Sequence, residues 1–266
     1  MTTAPRRAGV LGSPIAHSRS PQLHLAAYRA LGLTDWTYDR IECTGEHLPA
    51  VVSAFGPEWV GVSVTMPGKI AALRFADEAT PRAQLIGSAN TLVRTNSGWR
   101  ADNTDVDGVV GALTGHRPSR TLVIGSGGTA PAAVVGLIDL GARHVTVAAR
   151  NADKAAPLLD LAARCGAEAE YRPLDGGLAV DEVEVMVNTV PADAVAPYAP
   201  VLAGVPVLLD AIYDPWPTPL AAAVAAAGGQ VISGLQMLLN QAFTQVEQFT
   251  GRPAPKEVMR AALDAG

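Results

Sequence analysis

The chain is poor in cysteine, with two in 266 residues, Cys43 and Cys165. Their spacing fits neither a metal site nor a disulfide framework, so a reduced, cytoplasmic protein is the simplest reading. Charge is scarce as well: 17% of residues are charged, the formal net charge is −5 and the pI is near 5.5. An acidic balance argues against nucleic acid or an anionic membrane as the main partner. Long apolar runs are missing, and the best candidate, 220–227, falls far short of the roughly 20 residues that span a bilayer. The opening Met1-Thr2-Thr3-Ala4-Pro5-Arg6-Arg7 is followed by only a few apolar residues before Gly12, so no signal-peptide core is expected. The histidines are scattered, and His17 and His24 lie too far apart to be ligands one helical turn from each other, so no metal is expected. Beyond alanine richness there is no low-complexity tract and no repeat. The 48% of hydrophobic residues suffices for a globular chain of one or two domains.

What is present is concentrated at a few joints. Residues 121–124 read as an apolar strand that runs into Gly125-Ser126-Gly127-Gly128-Thr129-Ala130 and then into an alanine-rich helix. A dinucleotide needs that order. Gly125 permits a tight turn, Gly127 removes a side chain where a pyrophosphate approaches, and Ala130 lets the helix pack on the strand. The plain alternative is a strand–turn–helix joint with no ligand. The next strand, 144–149, ends in Arg150-Asn151, with Lys154 just beyond. A carboxylate there would bind the ribose 2′-hydroxyl of NAD and repel a 2′-phosphate, whereas a guanidinium binds the phosphate with two hydrogen bonds. The expected cofactor is therefore NADP(H), unless Arg150 is only a solvated charge.

Strand and helix signals alternate along the rest, the pattern of α/β domains with open parallel sheets. Strands are expected at 8–11, 36–41, 59–64, 183–188 and 205–210, and a hairpin at 91–101 turning about Asn96-Ser97-Gly98. Helices are expected at 21–31, with Ser20 as N-cap and Pro21 first inside, and at 48–55, 70–77 and 235–250.

Polar residues gather at strand ends. Ser18 and Ser20, beside a helix N-terminus, would suit a small carboxylate; capping by Ser20 alone explains half of that pattern. Lys69 follows the strand at 59–64, and Asn90-Thr91 and Asn103-Thr104-Asp105 sit at further ends. Lys69 alone could be a surface lysine and Asp105 alone a helix cap. Their joint placement is the signal.

Taken in order, these stretches resemble the shikimate dehydrogenase family over essentially the whole chain. The marks are Gly-Ser-Pro-Ile-Ala-His-Ser-Arg-Ser-Pro from Gly12, Val-Thr-Met-Pro-Gly-Lys from Val64 and Gly-Ser-Ala-Asn-Thr-Leu from Gly87. They continue with Asp-Asn-Thr-Asp-Val-Asp-Gly from Asp102, the glycine turn, Asp-Ala-Ile-Tyr-Asp-Pro from Asp210 and Gly-Leu-Gln-Met-Leu-Leu-Asn-Gln from Gly234. The resemblance implies an α/β substrate-binding catalytic domain (1–101), a Rossmann-type NADP-binding domain (102–234) and C-terminal helices (235–266) that return to the first domain. It implies Lys69 and Asp105 as the catalytic pair, with Ser18, Ser20, Thr65, Asn90, Tyr213 and Gln241 around the substrate. It gives Gly125, Ser126, Gly127, Gly128, Thr129 and Ala130 to the pyrophosphate, Arg150 with Asn151 and Lys154 to the 2′-phosphate, and Gly234 and Met237 to the nicotinamide. The implied reaction is the reversible NADP-dependent reduction of 3-dehydroshikimate to shikimate, in chorismate and aromatic amino acid biosynthesis, by a monomer or homodimer. A lysine keeps its proton at neutral pH, with an ordinary pKa of about 10.4, and is a natural donor to the nascent alkoxide. Three positions depart from the family pattern: Ser63 stands for the usual Asn, Gly68 for an aromatic residue and Leu25 for Asn. The usual Asn-Arg-Thr reads Ala149-Arg150-Asn151, which keeps the arginine. Rival readings are a quinate/shikimate dehydrogenase of broader substrate and cofactor use, another NADP enzyme of this domain pair such as methylenetetrahydrofolate dehydrogenase, and a non-catalytic NADP(H)-binding regulatory module.

Overall fold

The structure, a computed structural model, describes residues 5–264. Residues 1–4, part of the opening read for a leader, and 265–266 lie outside the described residues. The chain divides into two compact units, Met1–Thr104 with Leu238–Gly266, and Asp105–Met237.

The first unit carries strands β1 (Arg6–Gly12), β2 (Trp36–Glu42), β3 (Trp59–Val64), β4 (Glu78–Ala79), β5 (Thr91–Arg94) and β6 (Trp99–Asp102). Between them run helices α1 (Ser20–Ala30), α2 (Leu48–Ser53), α3 (Lys69–Phe75) and α4 (Pro81–Ile86). The sheet order is β2-β1-β3-β5-β6-β4. Unlike the parallel sheet expected from the alternation, this one is mixed, because the hairpin forces β5 to run antiparallel to both β3 and β6. The reversal brings the start of β5 to the same edge as the ends of β1, β3 and β6. Two apolar clusters lie about this sheet. One joins Leu11, Leu48, Trp59, Val62, Leu92 and Trp99, and the other Val10, Tyr28, Tyr38, Val93 and Phe249.

The second unit carries β7 (Arg120–Ile124), β8 (His144–Ala149), β9 (Glu168–Pro173), β10 (Val185–Asn188), β11 (Val207–Asp210) and β12 (Gln230–Ser233). Its helices are α5 (Asp105–Ala112), α6 (Ala130–Asp139), α7 (Ala152–Arg164), the short α8 (Ala192–Val195) and α9 (Ala199–Leu202), and α10 (Pro219–Ala226). All its strand pairs are parallel, and counted from β7 the order is 3-2-1-4-5-6, that of the dinucleotide-binding Rossmann fold. Such a sheet binds ligands outside the carboxyl ends of its strands, at the point where the order reverses; here that point is between β7 and β10.

Two helices close the chain. α11 (Gly234–Thr250) begins in the second unit and continues into the first, and α12 (Lys256–Asp264) packs on α1. The C-terminal helices thus complete the first unit's core, through Phe249 among others. Among the described residues no helix is long and apolar enough to cross a membrane.

Candidate active site

In the first unit the loop after β1 is held on both sides. Arg40 donates from Nε and Nη2 to the Ser18 carbonyl at 2.8 and 2.6 Å, and the Ile15 N–H donates to Glu42. The Ser13 N–H donates to the Met66 carbonyl, which joins this loop to the one carrying Thr65. A Cβ on Gly12 would lie 2.3 Å from Thr65 Cγ2, so only glycine allows this approach. Ser18 and Ser20 are both buried, and the Ser20 N–H faces Ser18 Oγ at 3.4 Å. Ser20 is not the N-cap: α1 begins at Ser20 itself, and Arg19 holds the cap position without a side-chain bond. The Ser20 side chain is thus not spent on capping this helix, while Ser18 Oγ takes the N–H of its first residue.

Lys69 opens α3 directly after the loop, and its carbonyl accepts from the Ala89 N–H beside Asn90. Asn90 is buried and central. Its Nδ2 donates to Thr104 Oγ1 at 3.0 Å and to Gln241 Oε1 at 3.2 Å, and its Oδ1 accepts from the Thr104 N–H at 2.8 Å. The end of β6 is fixed by Asp102. Burial would raise this carboxyl's pKa, but Arg82 (2.6 Å at both Nε and Nη2), Thr80 and Gln248 together hold it below the usual range. The next residues are Asn103, Thr104 and then Asp105, a buried residue that heads α5 in the second unit.

In the second unit, Gly125 has φ +107°, and a Cβ there would meet Val190 Cγ1 at 2.6 Å and Thr189 Oγ1 at 2.7 Å. A Cβ at Gly127 would meet nothing within 4 Å, so backbone at an exposed turn is open to a bulky anion. Ser126, Gly128 and Thr129 complete the turn, and Ala130 starts α6 fully buried. The Gly125 N–H donates to the Ala148 carbonyl at 2.8 Å, which sets the turn beside the end of β8, where Arg150 is exposed. Asn151 caps α7, its Oδ1 accepting from the Lys154 N–H at 3.1 Å, and the Lys154 side chain is exposed. Tyr213 lies on a loop anchored by Asp210. Burial pushes that carboxyl's pKa up, while Thr218, Asn188 and the Ile212 N–H donate to it. A Cβ on Gly234 would sit 2.3 Å from the Ala211 carbonyl oxygen, and Met237 is buried one turn on. Thr189 and Val190, against the glycine turn at the reversal point, did not stand out in the sequence; their only signal is their place just after an apolar strand.

The residues expected at a site thus gather, within each unit, at the ligand-binding edge of its sheet. Comparison with known proteins gives the family. A family described as the shikimate dehydrogenase substrate binding domain matches residues 10–92, and one described as the shikimate 5'-dehydrogenase C-terminal domain matches 234–263. The shikimate dehydrogenase (NADP(+)) of Anaeromyxobacter sp. (strain Fw109-5) is 39% identical, over 97% of this chain and 95% of that one. The chain belongs to the shikimate dehydrogenase family. Among solved structures, the Mycobacterium tuberculosis shikimate dehydrogenase is 69% identical with a TM-score of 0.95, covering 98% of this chain and 100% of that one. The shikimate 5-dehydrogenase of Thermus thermophilus, solved in complex with NADP(H) and shikimate, is 29% identical with a TM-score of 0.83, covering 98% and 99%.

For a shikimate dehydrogenase, the three departures each find a local account. The space beside Gly68 is taken by Val64 and Leu48, whose side chains would lie 2.9 and 3.3 Å from a Cβ. Leu25 packs into the cluster of Tyr28, Tyr38 and Phe249. Ser63 bonds Tyr38 Oη at 2.6 Å and donates to Gln245 Oε1 at 2.8 Å. Tyr38 and Gln245 were not singled out from sequence, although Gln245 lies one helical turn after Gln241 and so shares its face.

His24 stacks on Tyr38, with ring centroids 4.0 Å apart, and burial pushes its pKa down to about 3. Between about pH 6.5 and pH 3 the unfolded chain takes up a proton that the folded His24 refuses. Stability should therefore fall with falling pH across that window, by up to ~1.4 kcal/mol per pH unit from this residue. Urea titrations at pH 6, 5 and 4 should show a shallower slope in His24→Gln than in the wild type. An unchanged slope would remove His24 as the source.

Proposed function

We propose that this chain is an NADP-dependent shikimate dehydrogenase, reducing 3-dehydroshikimate reversibly to shikimate on the route to chorismate and the aromatic amino acids. The observation that carries this is the gathering of Ser18, Ser20, Thr65, Lys69, Asn90 and Gln241 along one edge of the first sheet. That set combines hydroxyl donors for a carboxylate, amides for ring hydroxyls and one ammonium. The turn at Gly127 suits a pyrophosphate, since it offers backbone with nothing in a Cβ's way.

NADP(H), held by Gly125 to Ala130 and Arg150, would supply the hydride chemistry that a ring ketone requires. Lys69 gives a proton to the ketone oxygen as negative charge develops there, and Asp105 is assigned as the other member of the catalytic pair. Ser18 and Ser20 donate to the substrate carboxylate, while Thr65, Asn90, Tyr213 and Gln241 read the hydroxyls. Gly125 to Ala130 hold the pyrophosphate. Arg150 grips the 2′-phosphate, with Asn151 and Lys154 beside it, and Gly234 and Met237 border the nicotinamide. In this reading residues 1–101 form the substrate-binding domain, 102–234 the NADP-binding domain and 235–266 the C-terminal helices. A cytoplasmic location suits the two free thiols, Cys43 and Cys165.

The test is NADP⁺ reduction followed at 340 nm with shikimate, with quinate and NAD⁺ as parallel arms. Turnover with shikimate and NADP⁺ should far exceed the other combinations. Comparable rates with quinate would make the chain a quinate/shikimate dehydrogenase, and no reduction with either acid would leave a cofactor-binding module.

A further inference from the structure

We propose that Gln245 is a positioning residue for substrate recognition: through Thr91 it holds the Asn90 side-chain amide with its oxygen on Thr104 and its nitrogen toward Gln241. This rests on the reading above that Asn90 and Gln241 read the substrate's hydroxyls.

The register of the first sheet makes Ser63 on β3 and Thr91 on β5 a direct cross-strand pair, with side chains on one face. Gln245, on α11, bridges them. Its Oε1 accepts from Ser63 Oγ at 2.8 Å, with His24 Nε2 3.3 Å from the same oxygen, and its Nε2 donates to Thr91 Oγ1 at 2.9 Å. Nε2 also faces the Asn90 main-chain carbonyl at 3.4 Å. That oxygen can only accept, so the end of the amide beside β5 is the nitrogen. Ser63 and Thr91 are buried, and Gln245 completely so. An apolar chain of the same length would fill that space with no polar group to desolvate, whereas a buried amide is tolerated only when its bonds are made. The polar identity of residue 245 points to a use beyond packing.

Counting protons shows that use. An amide nitrogen only donates, so Thr91 Oγ1 accepts from Gln245 and has its one proton left to give elsewhere. Asn90 Oδ1 stands 2.8 Å away and Thr104 Oγ1 3.4 Å, so the proton goes to Asn90. The Thr104 N–H, at 2.8 Å, is a second donor to the same Oδ1. One main-chain donor and one hydroxyl aimed by Gln245 thus define which end of the Asn90 amide is oxygen. The nitrogen then lies 3.0 Å from Thr104 Oγ1 and 3.2 Å from Gln241 Oε1. Without Gln245 the Thr91 hydroxyl can turn, and its lone pairs would face Oδ1. Two acceptors at hydrogen-bond distance repel, and the amide loses its single orientation. Gln241 and Gln245 are one turn apart on α11, so one helix carries both the residue that meets Asn90 Nδ2 and the residue that fixes it.

Steady-state kinetics test this on Gln245→Met, which keeps the length and loses the amide, and on Thr91→Val and Thr91→Ser. Gln245→Met and Thr91→Val should each raise KM for shikimate about fivefold, with kcat and KM for NADP⁺ within about twofold of the wild type. Thr91→Ser keeps the hydroxyl and should restore KM to within about twofold. In an Asn90→Ala background, adding Gln245→Met should raise KM no further, because the path from Gln245 ends at Asn90. An unchanged KM in Gln245→Met, the same rise with and without Asn90, or a Thr91→Ser variant as impaired as Thr91→Val would overturn the proposal and leave Gln245 as packing. If Gln245→Met does not fold or Asn90→Ala is too slow to measure, the two Thr91 variants decide. A wild-type protein that turns over no shikimate would overturn the function reading first, and the positioning role with it.

Discussion

Replacing Lys69 by alanine is expected to lower kcat for shikimate oxidation by about 10²–10⁴-fold with little change in KM. The ammonium is assigned to the proton that must reach or leave the ring oxygen, and that need is felt in the transition state more than in binding. The position favours a fixed geometry. Lys69 is the first residue of α3, preceded by the buried Gly68, and its carbonyl is tied to Ala89. Composition sharpens the point. The chain has three lysines, Lys69, Lys154 and Lys256, among 20 basic residues, so arginine is its usual cation. Arginine cannot give up its proton in a protein, whereas lysine can. Lys69→Arg should therefore stay close to the alanine variant in kcat although the charge is kept. Near-normal turnover in either variant would remove Lys69 from the chemistry.

The second large effect is expected at Arg150. Its replacement by alanine should raise KM for NADP⁺ by roughly 10- to 150-fold, on the order of 1.5–3 kcal/mol, with kcat nearly kept. The loss should fall on NADP⁺ and spare NAD⁺, because only the former carries the 2′-phosphate. Arg150 follows the strand next to the glycine turn, and the Gly125–Ala148 bond holds the two strand ends together. An unchanged ratio of kcat/KM for the two cofactors would reject the assignment.

The parts legible in the sequence were those where one residue type has one structural use. The strand at 59–64 is an apolar run buried almost throughout, that at 144–149 is apolar apart from the half-exposed His144 and Thr146, and their bounds coincide with β3 and β8. The glycine turn is legible because Gly125 takes a backbone conformation that other residues avoid. β9 gave no such signal: it sits at a sheet edge and alternates charged with half-buried residues. α4 is six residues long, and α12 buries only Met259 and Leu263 of its nine. The mixed direction of the first sheet followed from a hairpin that was read locally but not carried to the sheet. Ser20 resembled a cap because Pro21 follows it, yet the helix starts one residue earlier. Asn151 was assigned to the cofactor, and its side chain also caps α7. Gln245 was missed because a glutamine on an amphipathic helix reads as solvent-facing until its neighbours are known.

The reversed run of β5 has a practical side. Since that strand starts at Thr91, just after Asn90, and leads away, the bend at Thr95-Asn96-Ser97-Gly98 projects from the opposite rim of the same sheet. Asn96 and Ser97 are exposed there, and the turn is closed locally by the Thr95 N–H bond to the Gly98 carbonyl. A fluorophore or surface tether attached at Asn96 would report on the protein without crowding the serines, the lysine or the amides.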